Sequence, residues 1–183
     1  MSLTFHWFLP TNGGDGRAVV GGGHGVSAGA AGRPASVPYL GQIARAAEGV
    51  GFEAALIPTG PWCEDAWVTS AMVAQVSERL KFLIALRPDS VGPYVAAQMA
   101  STFSRLTGGR LLLNVVTGGE DHVQRMYGDF LDKDARYERC DEFLTIVRAL
   151  WAGETVDVTG EHLQVEQSRL EQLPDEIPEI YFG

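Results

Sequence analysis

A cysteine sits where an apolar strand ends and a helix begins. Ala54–Ile57 is apolar, Pro58-Thr59-Gly60-Pro61-Trp62 turns the chain, and Cys63 precedes the acidic pair Glu64-Asp65. A thiol beside a helix N-terminus can be held as a nucleophilic thiolate, because the unpaired N–H groups there stabilise negative charge. Glu64 and Asp65 push the other way, since neighbouring carboxylates disfavour another negative charge. The balance points to a neutral thiol that hydrogen-bonds a ligand. An inert buried cysteine is the structural alternative.

Three other strand ends carry comparable chemistry: Pro10-Thr11-Asn12, Arg87-Pro88-Asp89-Ser90, and Asn114 with Thr117-Gly118-Gly119. In a parallel sheet these ends fall on the same face as the cysteine turn. Small polar donors and backbone amides suit a polar ring or a phosphate better than a metal ion. His6, His24, His122 and His162 show no ligand spacing with cysteines or carboxylates. No GxSxG elbow is present, and no GxGxxG runs from a strand into a helix. Arg136-Tyr137-Glu138 opens a later helix, where Arg and Tyr can hold a phosphate. An ordinary solvated helix start is the alternative there. Cys140 and Trp151 fall on the apolar stripe of that helix and read as core.

The elements that must position these residues alternate. Leu3–Leu9 is a short apolar run stopped at Pro10. Tyr39, Leu40, Ile43, Ala44, Ala47 and Val50 recur at helical spacing. Strands follow at Ala54–Ile57, Lys81–Leu86 and Leu111–Val116, and their starts are spaced by 27 and 30 residues. Asp65 is the expected N-cap of a helix running to about Ser77. Val95, Met99, Phe103 and Leu106 mark one face of a third helix. Cys140, Phe143, Leu144, Val147, Leu150 and Trp151 mark a fourth, and Ile180-Tyr181-Phe182 opens a fifth strand. Near-continuous apolar strands with helical crossovers indicate a parallel sheet covered on both faces. Short helix-to-strand turns and longer, polar strand-to-helix loops indicate a TIM barrel, with a doubly wound sheet as the alternative.

Three segments interrupt the alternation. Gly13–Ala35 is a Gly/Ala-rich loop, read as a lid or as disorder. Glu120–Asp134 is an insertion after the fourth strand. Glu154–Glu166 reads as a β-hairpin, because Val156/Val158 and Leu163/Val165 alternate with polar residues around Thr159-Gly160. A barrel needs eight strands and typically about 250 residues. This chain of 183 residues offers five. The expectation is a single domain, 1–183, forming the N-terminal portion of a longer barrel.

Composition sets further bounds. Hydrophobic residues at 45% and charged residues at 20% describe a globular chain. A net charge of −9 argues against nucleic acid or an anionic membrane as partner. From Glu154 to Gly183 eight acidic residues face one basic residue, Arg169, which reads as a solvated acidic surface. Two distant cysteines fit a reduced, cytoplasmic setting. The N-terminus lacks the basic region of a signal peptide, and no apolar run reaches the length of a membrane span.

Phe5-His6-Trp7-Phe8-Leu9-Pro10-Thr11, Leu56–Gly60 with Cys63–Trp67, Lys81–Pro88, Leu113–Gly118, Arg136-Tyr137-Glu138 and Ile180–Gly183 resemble the bacterial-luciferase-like flavin monooxygenases. Within them the likeness is closest to alkanesulfonate monooxygenase, and it covers the first half of that family's sequence. The first strand-to-helix loop departs from it: no Asp or Glu lies between Asp15 and Glu48. The resemblance implies an incomplete TIM (β/α)8 barrel that binds reduced FMN from a separate NAD(P)H-dependent flavin reductase. With O2, such an enzyme converts an organosulfonate to an aldehyde and sulfite. Cys63 then takes the place of the active-site cysteine. Thr59, Asn114 and Thr117 line the flavin, and Tyr137 contacts its phosphate. Homo-oligomerisation is expected. The family's substrate-binding arginines, active-site histidine and mobile lid belong to the other half, so the fragment alone is expected to be inactive. The competing readings are a luciferase-like oxidoreductase acting on another substrate or with a deazaflavin, a non-catalytic barrel fragment that self-associates, and an unrelated TIM-barrel lyase or hydrolase using Cys63.

Overall fold

The computed structural model describes residues 3–13 and 33–182. The lid-or-disorder reading of the Gly/Ala-rich loop falls on residues 14–32 and lies outside them. The elements in chain order are β1 (His6–Phe8), α1 (Val37–Gly49), β2 (Ala54–Ile57), α2 (Ala66–Val73) with a 3-10 turn over Ala74–Val76, β3 (Lys81–Leu86), α3 (Pro93–Thr107) and β4 (Leu111–Val115). Then follow α4 (Asp121–Met126), α5 (Lys133–Trp151), β5 (Val156–Thr159), β6 (Gln164–Ser168) and β7 (Glu179–Phe182). Two compact units contain them: Met1–Ala85 with Arg110–Asn114, and Leu86–Gly109 with Val115–Gly183.

In the first unit the strands lie in the order β1-β2-β3-β4. β1 pairs β2 in parallel with His6 opposite Ala54, and β2 pairs β3 in parallel with Ala54 opposite Lys81. Ala55, Ile57, Phe82 and Ile84 are fully buried on one face, and Ala54, Leu83 and Leu112 are buried together on the other, as a sheet covered on both sides requires. The first strand is shorter than the apolar run that announces it. Leu3 and Phe5 are largely exposed, and only His6–Phe8 pairs. Ser36 caps α1 by accepting from the Tyr39 amide, and Tyr39, Leu40, Ala44 and Ala47 are buried as their spacing predicts. Val50 lies beyond the helix and is exposed. α1 packs on α2, and a Cβ at Gly41 would meet Val76 Cγ2 at 2.7 Å, so glycine permits this approach. Asp65 caps α2 as expected, accepting from Val68 N at 2.8 Å. The helix C-terminus is closed by Arg110, which donates to the carbonyls of Ala74 at 2.9 Å and Ser77 at 3.1 Å.

Glu48 at the end of α1 anchors the turn into β3. Its Oε2 accepts from the backbone amides of Glu78, Arg79 and Leu80 at 3.0, 2.8 and 2.9 Å. Burial alone would raise its pKa. The three amides and the Arg79 guanidinium outweigh burial and hold the carboxyl below the usual glutamate range. A carboxyl with a depressed folded pKa stabilises the fold above its unfolded pKa and loses that contribution as pH falls through the folded value. Glu48→Ala is therefore expected to cost about 1–3 kcal/mol at neutral pH. The gap between parent and variant should close toward about pH 3 in urea denaturation. A gap that stayed constant with pH would refute this anchoring.

In the second unit α3 packs on α5. The predicted stripe of α3 is corrected. Val95 is 46% and Leu106 80% exposed, while Ala96, Ala97, Ala100, Phe103 and Ser104 are buried. The small side chains let the two helices approach closely, so that Trp151 Nε1 donates to the Ala97 carbonyl at 3.1 Å. The predicted stripe of α5 is found intact, with Cys140, Phe143, Leu144, Val147, Leu150 and Trp151 all buried. α5 begins at Lys133 with Asp132 as N-cap, three residues before the predicted start, and the insertion before it folds as α4. The hairpin is present as antiparallel β5 and β6, with Val158 opposite Val165. Among the described residues no helix is long and apolar enough to cross a membrane.

Candidate functional site

In the first unit the cysteine turn is built from the end of β2. Trp62 folds its indole over Gly60, where a side chain would collide with it. Cys63 is half-buried, and its thiol donates toward the carbonyls of Gly60 at 3.5 Å and Pro58 at 3.7 Å. Burial is the largest influence and raises the thiol pKa, and the Asp65 and Glu64 charges raise it further. Thr11 and the Gly60 backbone draw it only part of the way back. The thiol is therefore neutral at physiological pH, as the acidic flank predicts. Thr11 comes from the end of β1, and its carbonyl accepts from the Glu64 amide at 3.1 Å. Thr59 and Asn114 are half-buried at the ends of β2 and β4, two strands that β3 separates.

The second unit contains Thr117 and Tyr137. Thr117 is half-buried and leads into Gly118, whose φ of +95° is left-handed. A Cβ on Gly118 would collide with the Gln124 side chain. Gln124 is 1% exposed, and its Oε1 accepts from Arg87 Nη2 at 2.6 Å. Arg87 also forms a two-pronged pair with Asp89, one prong being Nε to Oδ1 at 3.0 Å. Its guanidinium lies 4.0 Å from the centre of the Tyr127 ring. The sequence marks Arg87 and Asp89 as a strand end, but Gln124 and Tyr127 carry no signal there, because Gln124 enters on the unpredicted helix α4 and Tyr127 on its C-cap.

Tyr137 is about half exposed on α5, but Arg136 is turned inward. Arg136 Nη1 donates to the Leu131 carbonyl at 2.8 Å and to Asp121 Oδ1 at 3.4 Å. The helix start is already capped by Asp132, which accepts from Ala135 N. The expected Arg–Tyr pair is thus reduced to Tyr137 alone. Arg139 holds Asp129 in a second two-pronged pair at 2.7 and 3.1 Å. Burial would raise the Asp129 pKa, but Arg139 and the Leu131 amide outweigh it and keep the carboxylate ionised. Among the described residues no three histidines, cysteines or carboxylates are grouped to hold a metal ion.

In the first unit the side chains of Thr59, Cys63 and Asn114 are neutral and mixed, with hydroxyl, thiol and amide. Solved structures share the fold. EDTA monooxygenase (EmoA) from Chelativorans sp. BNC1 superposes with a TM-score of 0.81 at 19% identity, covering 98% of this chain and 48% of that one. The oxygenating constituent of 3,6-diketocamphane monooxygenase from Pseudomonas putida, solved with FMN, gives 0.67 at 21% identity, covering 80% and 45%. An F420-dependent secondary alcohol dehydrogenase, solved with an F420-acetone adduct, gives 0.74 at 18% identity, covering 100% and 52%. The chain spans about half the length of these relatives, and its parallel α/β fold is the incomplete luciferase-like barrel that the sequence predicts. The pattern of one family matches residues 3–183, and the chain belongs to that family, the luciferase-like monooxygenases.

Proposed function

We propose that this chain is part of a reduced-FMN-dependent monooxygenase of alkanesulfonate type, which takes a short organosulfonate and O2 to an aldehyde and sulfite. The observation that carries this reading is the family match over residues 3–183 together with the neutral cysteine turn inside it. Reduced FMN supplies the oxygen activation when bound. The residues of the chain bind, orient and exclude water. In the first unit Cys63 is the active-site thiol, and Thr59 and Asn114 hydrogen-bond the ring or ribityl chain. In the second unit Thr117 does the same, and the exposed Tyr137 hydroxyl donates to the phosphate. A separate NAD(P)H-dependent reductase delivers the flavin, and the enzyme works in the cytoplasm as a homo-oligomer.

The likeness to an F420-dependent enzyme over the whole chain favours a second reading, a deazaflavin in place of FMN. Anaerobic titration of tryptophan fluorescence with reduced FMN and with reduced F420 separates the two. Sulfite release from a short alkanesulfonate, with O2, NADH and a flavin reductase, tests the reaction. The 183-residue chain is expected to release none, and a chain extended through the remaining strands is expected to release sulfite. Failure of the extended enzyme on every sulfonate tried would remove the substrate assignment. Tyr137→Phe is expected to weaken FMN binding about two- to tenfold and to leave riboflavin binding unchanged, since only FMN carries the phosphate. Equal weakening of both ligands would remove Tyr137 from the phosphate role.

A further inference from the structure

Thr11 carries a hydroxyl that its own fold does not need. The residue is 0% exposed, and its Oγ1 completes no hydrogen bond of ordinary geometry among the described residues. A buried hydroxyl without a partner is destabilising, and valine has the same shape without that penalty. What the main chain does with Thr11 is to press it against the cysteine turn: its carbonyl accepts from Glu64 N at 3.1 Å, one residue beyond Cys63. The thiol has a single proton, and that proton points to the carbonyls of Gly60 and Pro58. The sulfur lone pairs remain, and the backbone contact at Glu64 brings the unpartnered Thr11 hydroxyl to the same turn.

We infer that Thr11 is a positioning residue for Cys63, its hydroxyl donating to Sγ while the S–H stays on the Gly60 and Pro58 carbonyls. The thiol then meets a ligand as a hydrogen-bond acceptor and a soft contact, not as a donor. This bears on the flavin and rests there on the proposed function, because reduced FMN carries one more ring N–H than oxidised FMN. A sulfur held as an acceptor favours the reduced form.

The direct test needs no flavin. Cys63 alkylation by iodoacetamide is followed against pH by peptide-resolved mass spectrometry, in the parent chain, Thr11→Val and Thr11→Ser. Loss of a donor to sulfur destabilises the thiolate and raises the thiol pKa. At pH 8 the alkylation rate of Thr11→Val is expected to fall about three- to tenfold, because the rate follows the thiolate fraction. Thr11→Ser is expected to restore it to within about twofold of the parent. The melting temperature of Thr11→Val should stay within about 2–4 °C of the parent, since valine exchanges one weak hydrogen bond to sulfur for a methyl group of the same shape. An unchanged or faster rate in Thr11→Val, or no rescue by serine, would overturn the inference. A second arm titrates reduced and oxidised FMN, where Thr11→Val is expected to narrow the parent's preference for the reduced form by about threefold or more. An unchanged preference beside a slowed alkylation would remove the flavin consequence and keep the positioning role. Absence of flavin binding by every form would count against the proposed function and leave the thiol result to decide on Thr11.

Discussion

Arg87→Leu is expected to destabilise the second unit by about 3–5 kcal/mol, the typical effect of removing one partner from a buried ion pair. The side chains of Arg87 and Asp89 are 4% and 5% exposed, so the carboxylate left behind has no access to water. Gln124 Oε1 loses its donor at the same time, and the Tyr127 ring loses the cation stacked on it. Much of the loss belongs to the stranded carboxylate and not to the pair itself. Arg87→Leu combined with Asp89→Leu should therefore recover a large part of it, which makes the two changes strongly non-additive. Urea denaturation of the parent, both single variants and the double variant closes the cycle. A loss below about 1 kcal/mol for Arg87→Leu, or a double variant weaker than the worse single variant, would show that the network is not a buried ion pair in solution.

Gly118→Ala is the second large expected effect, at about 2–4 kcal/mol. Part of it is backbone strain. The φ of +95° lies where a side chain is disfavoured, at a cost of about 1–3 kcal/mol. The rest is collision, because the new methyl group would occupy the position of the Gln124 amide. Gln124 is buried and tethered to Arg87, so it cannot swing into solvent as an exposed glutamine would. Gly119→Ala is the internal control. It has no heavy atom within 4 Å of the added carbon, and its φ is not left-handed, so its effect should stay within about 0.5 kcal/mol. The functional counterpart is at Thr117, the neighbour of Gly118. If Thr117 touches the flavin, Gly118→Ala weakens FMN binding and Gly119→Ala does not. Equal stability of the two alanine variants would remove both arguments.

The boundaries of β2 and β3 were legible because each is an apolar run with a chemical stop, at Pro58 and at Arg87-Pro88. The stripe of α5 was legible because large side chains recur at its buried positions. The face of α3 was misread for the opposite reason. Its buried positions are Ala96, Ala97, Ala100 and Ser104, and their small size suits close approach to α5, while the larger Val95 and Leu106 are exposed. α4 escaped notice because six residues hold too little periodicity to stand out. Arg136 kept its place near a helix start but not its expected role, because the Leu131 carbonyl and Asp121 meet it inside the fold.

The amino-acid sequence alone determined the strand and helix order apart from α4, the Asp65 cap, the hairpin and the neutral state favoured at Cys63. Each of these depends on residues close in the chain: Asp65 caps through Val68, and Glu64 and Asp65 sit beside the thiol they oppose. Tertiary structure alone decided which partner meets Arg87 across 37 residues, which carbonyl receives Trp151 across 54, and that the Thr11 carbonyl meets the Glu64 amide next to the thiol. Those pairings arise only when distant segments pack, and hydropathy or local charge cannot encode them. The cysteine turn is thus local in its protonation and long-range in its orientation.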